Sequence, residues 1–402
     1  MSPQQVKRKW FVLIDLGHGN CRLALIPHDY SDLLLFEEPT TGIIKGKVAD
    51  RDALTASIQK LAQRAGLYDL NYEAYVNIPA NQSRALIQTI NHKLNGTYRS
   101  SDYEAIIDMA LESASLGLDE VIDVIPLQLR LDGKLADPLA FGTVSREANM
   151  RLMMATHPSV LLEDVLSCLN GAGITVSEFR SNGLAVSRAL QYLRASAENS
   201  VLLDFGHSTI TGSLMVGGVV NQFFCVPAGS AHITKDLCAG LGTSFEDAEL
   251  IKIDLNISET ANSNFKSSRA AHYAIPRVTE LMTLAFKNFA LYRRSLDGGL
   301  LFCGGGSSLT GLVEYCAQKF GVKGPLVAQL NGDGAKVFVG ISTGVSSQNQ
   351  PSPALTLDSS WIALLAQARA LVRLRRAISS EKDARPLSRL RPLWTWLSEL
   401  SR

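Results

Sequence analysis

The chain has 402 residues, 39 Lys and Arg against 38 Asp and Glu, and a formal charge of +1, a balance that excludes a nucleic-acid-coating protein and an acidic solvating chain. Hydrophobic residues make up 46% and there are 31 glycines, which excludes disorder across the body and suits an α/β protein of two to four domains or subdomains. The charge is uneven: residues 361–402 hold nine basic and three acidic side chains, net +6, leaving −5 on residues 1–360, and Trp361, Trp394 and Trp396 lie in that last stretch.

At the N-terminus, Lys7, Arg8 and Lys9 precede an apolar run that is broken at Asp15, too soon for a signal peptide. No uninterrupted apolar stretch reaches the roughly eighteen residues of a spanning helix, so the chain is expected to be neither secreted nor transmembrane. Cys21, Cys168, Cys225, Cys238, Cys303 and Cys316 show no CxxC or zinc-like spacing and read as reduced, mostly buried thiols of a cytosolic chain.

In chain order, residues 12–18 (VLIDLGH) form a strand pattern that ends in Asp15, turns at Gly19-Asn20 and returns as an apolar run, Leu23 to Ile26. Helical periodicity follows at 52–65 and 101–115, strand-like alternation at 120–145, and helices again at 159–170 and 184–195. Residues 201–207 (VLLDFGH) then repeat the first motif with five of seven identities, turning at Ser208-Thr209. Two such hairpins half a chain apart predict two related half-domains facing each other. Helices at 233–241 and 275–292 lead to a third element, Leu300 to Cys303 running into Gly304, Gly305, Gly306, Ser307 and Ser308, with a helix at 312–320. Residues 346–360, rich in Ser, Pro and Gln, read as the exit from the globular body.

A strand-ending Asp beside a Gly turn, present twice across a cleft, is the arrangement expected for a nucleoside triphosphate with a divalent cation. Hairpin-tip N–H groups would meet the phosphates, while Asp15 and Asp204 would hold hydrated magnesium through its waters. Glycines at 304–306 let the backbone approach a ligand, and the helix beyond favours an anion or a polar nucleotide edge. His18 and His207 read as hairpin-tip residues tolerating an unusual backbone rather than as metal ligands, and Cys21 as packing rather than a nucleophile. No Ser/His/Asp or Cys/His catalytic constellation stands out.

These motifs, in this order, resemble the actin, sugar-kinase and heat-shock ATPase superfamily, and in detail the chain is similar to FtsA, the actin-like bacterial cell-division family. The likeness is strongest at VLLDFGHSTITGSLMVGGVV and VPAGSAHITKDLCAGLGTSFEDAELIK in 200–254; GIIKGKVADRDAL (42–54), EVIDVIPLQLRLDG (120–133) and LFCGGGSSLTGLVE (301–314) add to it. The resemblance implies an actin-like two-lobed ATPase fold with an inserted subdomain 1C and a C-terminal amphipathic helix. The boundaries it implies are 1–84 and 157–198 for subdomain 1A, 85–156 for 1C, 199–230 and 298–345 for 2A, 231–297 for 2B, 346–386 for a linker and basic helix, and 387–402 for a membrane-targeting helix. Asp15, Gly17, His18, Gly19 and Asn20 would form the first phosphate loop, and Asp204, Gly206, His207, Ser208 and Thr209 the second. Gly229 would lie near the nucleotide, Glu249 and Lys252 near ribose and base, and Gly304, Gly305, Gly306 and Ser307 would hold the adenosine. The cofactors would be ATP and Mg. Two departures stand against efficient hydrolysis and leave at most a slow ATPase: His18 occupies a place where the family prefers Ser or Thr, and the segment at 325–335 is short.

In the tail, Leu387, Leu390, Leu393, Trp394, Leu397 and Leu400 recur at three and four residues, with Trp396 at the boundary and Arg389, Arg391 and Arg402 on the other face. Sixteen residues are too few to span a bilayer but enough to lie in its interface. The preceding basic segment, 361–378, could be a last body helix, a spacer or a second membrane-surface helix. The resemblance implies a protein that polymerises with itself and anchors filaments of FtsZ through its C-terminal peptide. It would sit at the division site, on the cytoplasmic face of the inner membrane, with anionic lipids and other division proteins as partners and no nucleic acid. The alternatives are a PilM-like pilus-assembly adaptor and a small-molecule phosphotransferase of the same superfamily.

Overall fold

The structure, a computed structural model, describes residues 9–381 apart from 115–116, 118, 195–196, 259–264, 323–324, 329, 332–337, 340–355 and 358. The first half contains strands β1 (Lys9–Leu16), β2 (Asn20–Pro27), β3 (Leu34–Pro39), β4 (Ile43–Ile44) and β5 (Lys47–Val48), helix α1 (Arg51–Ala65) and strands β6 (Asn71–Ile78) and β7 (Arg84–Lys93). It continues through α2 (Ser100–Ser113), β8 (Asp119–Leu131), β9 (Lys134–Ala136), β10 (Glu147–Pro158), α3 (Ser159–Gly171), β11 (Glu178–Ser181) and α4 (Asn182–Leu193). The second half holds β12 (Ser200–Phe205), β13 (Ile210–Val216), β14 (Val219–Val226), α5 (Ala231–Leu241), α6 (Phe245–Ile253) and α7 (Phe265–Lys287). After these come β15 (Leu300–Cys303), α8 (Leu312–Phe320), β16 (Leu326–Val327) and α9 (Ile362–Ser380).

The sequence repeat is a repeat of topology. One five-stranded sheet runs β3-β2-β1-β6-β11 and the other β14-β13-β12-β15-β16, so each hairpin occupies the same place in its own sheet. In both, the Asp-bearing strand pairs antiparallel with its hairpin partner and parallel with a later strand. Both central strands are covered on two faces, which is why they read as near-continuous apolar runs. Trp10, Val12, Ile14 and Leu16 pack into one core with α1 and α3, while Phe11 and Leu13 point to the opposite face. Val201, Leu203 and Phe205 pack with α5 and α7, and Leu202 faces back toward Phe11 and Leu13. That shared inner core is built on α4 and α9, which lie between the two sheets.

A separate four-stranded sheet, β7-β10-β8-β9, is covered by α2 and has its own core around Tyr98, Ile106, Leu129 and Met150. Asp123 fixes it to the body. This buried carboxylate takes two hydrogen bonds from Arg188, 2.7 and 2.8 Å, one from Arg180 at 3.0 Å and one from Gln367 of α9 at 3.2 Å. Burial alone would raise its pKa, but the two guanidinium groups outweigh it and hold the carboxyl down at about 2.

Two expectations are corrected. The chain does not leave the body at residue 360: Ser359 and Trp361 are buried, and α9 follows them into the inner core through Ile362, Leu365, Ala366 and Val372. Of the roles open for the basic segment, α9 takes that of last body helix. The expected helix at 275–292 instead spans Phe265–Lys287, with Pro276 inside it. The amphipathic segment 387–402 lies outside the described residues, and among those described no helix is long and apolar enough to cross a membrane.

Candidate functional site

Both hairpin tips and the triple-glycine turn open onto one cavity of about 420 Å³. Asp15, Gly17, His18, Gly19, Asn20, Asp204, Gly206, His207 and Thr209 line it from the hairpins. Glu249 and Lys252 line it from α6, and Gly304, Gly305 and Gly306 from the turn after β15. The tips approach closely, since a Cβ placed on Gly19 would lie 3.3 Å from the Cβ of His207. Gly304 has φ +83, and a Cβ there would collide with the Asp204 carboxylate, so only glycine lets this turn pass the acid.

The two carboxyls repel. Desolvation pushes the Asp15 carboxyl up to about 7; Arg22 opposes the shift, and the Asp204 and Glu37 charges add to it. Asp204 is also raised by desolvation, against a 3.2 Å hydrogen bond from the Asn182 amide. Arg22 is itself held at 2.9 Å by Glu37, which also accepts from Asn20. A divalent cation between two raised carboxyls would relieve both the mutual repulsion and the desolvation. Among the described residues no group of three His, Cys, Asp or Glu side chains gathers into a direct metal cage. Two carboxylates holding a hydrated magnesium fit that donor set, because the ion keeps several waters and takes few protein ligands.

The histidines differ from expectation. The unusual backbone expected at His18 and His207 is not a left-handed one; among described non-glycine residues only Tyr30, Lys45 and Asp132 have positive φ. The His18 Nε2 accepts the Gly46 N–H at 2.7 Å, tying the first tip to the β4–β5 turn. Burial, then the neighbouring His207, lowers its pKa to about 4, so this ring is neutral at pH 7. His207 is lowered as well, by burial and then by Lys252. Cys21 is fully buried and accepts from the Thr40 hydroxyl, with desolvation raising its pKa to about 12, so it packs and does not attack.

Lys252 is 8% exposed and donates to Glu249 at 2.8 Å and to the Thr234 hydroxyl at 3.1 Å. Burial would raise the Glu249 carboxyl, but the Lys252 and Thr234 hydrogen bonds together hold it below the usual range. Ser208, Gly229 and Ser307 are not brought into the cavity lining. Gly229 sits behind the second tip, where the next residues, Ser230 and Ala231, donate their N–H groups to the carbonyls of Gly206 and His207 at 2.9 and 2.8 Å. Ser307 turns inward, donating to the Gly304 carbonyl at 2.7 Å and meeting the Ser359 hydroxyl at 2.6 Å; Ser308 lines the cavity in its place.

Sequence reasoning missed Arg22, Asn182 and Ser360 in the lining. Asn182 caps no local motif and arrives at Asp204 from the start of α4, with its side-chain oxygen buried and unpartnered. Arg22 carried a signal, since it faces Asp15 across the hairpin register.

Residues 201–347 match the family model described as cell division protein FtsA. Among curated proteins, the chain is 23% identical over 337 residues to the cell division protein FtsA of Bacillus subtilis, covering 76% of this chain and 75% of that one. It is 23% identical over 354 residues to FtsA of Neisseria meningitidis, covering 80% and 83%. Among solved structures, the PilM–PilN type IV pilus biogenesis complex matches with a TM-score of 0.61 at 16% identity, over 90% of this chain and 98% of that one. MreB 5 of Spiroplasma citri bound to AMPPNP matches with a TM-score of 0.53 at 10% identity, over 92% and 98%. The chain is thus similar to the FtsA cell-division proteins, with a family-model match over residues 201–347, and it is built on the actin-like fold.

Proposed function

We propose that the chain binds ATP with magnesium between its two hairpins, polymerises, and anchors FtsZ filaments to the cytoplasmic face of the inner membrane at the division site. The observation that carries the nucleotide half is the pair of desolvated carboxyls, Asp15 and Asp204, brought from equivalent hairpins to one cavity. Magnesium held through its waters by this pair would neutralise the polyphosphate. N–H groups of the two tips would then orient the phosphates, and the Gly304 to Gly306 turn would leave room for the nucleoside. His18 is engaged with Gly46 and neutral, which supports nucleotide-dependent assembly with slow hydrolysis at most. The sequence pattern of 387–402 supports attachment to anionic lipid, with Leu390, Leu393, Trp394, Trp396, Leu397 and Leu400 in the interface and arginines at the headgroups.

Electron microscopy of the full chain with ATP on an anionic lipid monolayer tests nucleotide, membrane and polymer together. Filaments that recruit an FtsZ C-terminal peptide are expected. Capture of a pilus-protein N-terminal peptide without assembly would transfer the chain to the adaptor reading, and rapid ATP turnover dependent on a small molecule would transfer it to the phosphotransferases. Deleting 387–402 is expected to abolish sedimentation with vesicles and leave ATP binding intact.

A further inference from the structure

A second cavity lies among the described residues, apart from the Asp15–Asp204 site. About 550 Å³ in volume, it lies between α2, β8 and α9 and is lined by apolar side chains including Leu13, Ile107, Leu127 and Leu371, with Leu139 and Leu374 on its partly exposed rim. A cavity of this size and lining is that of a ligand site rather than a packing defect. The α2 edge beside it is acidic, with Asp102, Glu104, Asp108 and Glu112 and no Lys or Arg, and of these Asp108 lines the cavity; Arg180, Arg188, Arg369 and Arg373 line it from β11, α4 and α9, against Asp137 and Glu178. Asp102 is engaged with His92 and the Arg99 N–H, but Glu104 has a buried carboxyl oxygen with no partner. One turn on, exposed Asp108 repels it.

The described part of the chain ends beside this cavity. Glu381, just after α9, accepts the backbone N–H of Ser100 at the start of α2, at 3.2 Å. Seven residues of helix separate it from Leu374, about 10 Å. Beyond it, residues 382–402 carry five basic and two acidic side chains, net +3, and the Leu and Trp stripe from Leu390 to Leu400. The eight residues before Leu390 span up to roughly 26 Å when extended, more than the reach required.

We propose that the C-terminal segment 387–402 docks in this cavity when no membrane is present, its Leu and Trp side chains inside and its arginines against the acidic edge of α2. The proposal rests on the reading of this segment as the membrane anchor. It adds a second, mutually exclusive seat for the same apolar face. The body then withholds the anchor, and anything that opens the space between α2 and α9 releases it. Membrane affinity is scaled by the fraction of chains with the segment free.

The test uses the full chain, first in buffer without lipid and then with vesicles of phosphatidylcholine and phosphatidylglycerol. Emission from Trp394 and Trp396 is isolated as the difference between the wild type and a Trp394→Phe, Trp396→Phe chain, since Trp10 and Trp361 are buried in the body. Without lipid the difference spectrum is expected to be of the buried, blue-shifted type. Leu374→Asp or Leu139→Gln, both on the rim, should turn it to the water-exposed type. At limiting lipid these variants should raise vesicle binding about tenfold if nine-tenths of the chains are docked. Glu104→Gln with Asp108→Asn leaves the apolar lining untouched and should act in the same direction to a smaller extent, which guards against a rim variant that fails to fold. Water-type emission from the lipid-free wild type, or buried-type emission that survives both rim substitutions, overturns the proposal. Rim-dependent buried emission in a chain that never binds vesicles would remove the membrane reading and keep the docking; vesicle binding with water-type emission in solution would do the reverse.

Discussion

The two hairpins start from nearly the same seven residues, and their tips are held by different means. The second is fixed by backbone: Ser230 and Ala231, at the start of α5, donate to the carbonyls of Gly206 and His207. The first is fixed by side chains, with His18 accepting from Gly46, and Asn20 and Arg22 gathered on Glu37. A tip held by backbone hydrogen bonds is insensitive to most substitutions of the segment that holds it. One held by a histidine and a charged cluster can be disconnected by a single change, and can respond to pH.

The largest expected effect is where the four-stranded sheet is fixed to the body. Arg188→Ala leaves Asp123 buried without its bidentate partner and should destabilise the fold by about 3–5 kcal/mol in chemical denaturation. A loss below 1 kcal/mol would show that Arg180 and Gln367 suffice. Next, Gly304→Ala forces a left-handed backbone and a collision with Asp204, and should cost about 1–3 kcal/mol in thermal unfolding. His18→Ala removes one hydrogen bond to the β4–β5 turn and should cost about 1 kcal/mol. The substitution that would sharpen the comparison is Ser230→Ala, which keeps the donating N–H at the second tip and should be near neutral.

The smallest effect is the pH response. The folded pKa of His18 is about 4, below its ordinary 6.5, so the stability the neutral ring contributes is complete above about pH 6.5 and is lost as the pH falls through 4. A His18→Gln chain keeps an acceptor for Gly46 and does not titrate there. Its urea midpoint should therefore fall less than that of the wild type between pH 6.5 and 4; parallel curves would show that His18 is not linked to stability.

Much of the fold and the cavity was legible, because each hairpin compresses strand, acid and turn into seven residues and because three consecutive glycines can hardly serve an ordinary helix or strand. What was not legible had physical reasons. Helix α6 was missed as a helix since its periodicity is inverted: Leu250 and Ile253 are 62% and 61% exposed while Lys252 is buried. The role of α9 was left open because its arginines resemble a membrane surface. In the structure Arg369, Arg375 and Arg376 lie over the rings of Tyr192, Phe11 and Tyr30, and charge on a docked helix is accommodated in this way. The +6 assigned to the tail therefore belongs half to the body, and only +3 follows residue 381. Asn182 and Ser360 reach the cavity by tertiary folding, and no local pattern marks them.

The central claim is that the two hairpins build one magnesium–nucleotide site. Its most direct measurement is calorimetric titration of ATP into the full chain, with and without magnesium, for the wild type, Asp15→Asn and Asp204→Asn. Magnesium-dependent binding is predicted in the wild type, with each substitution weakening it roughly tenfold or more, as expected for loss of a charged partner. ATP binding of equal strength in all three chains, or indifferent to magnesium, would contradict it.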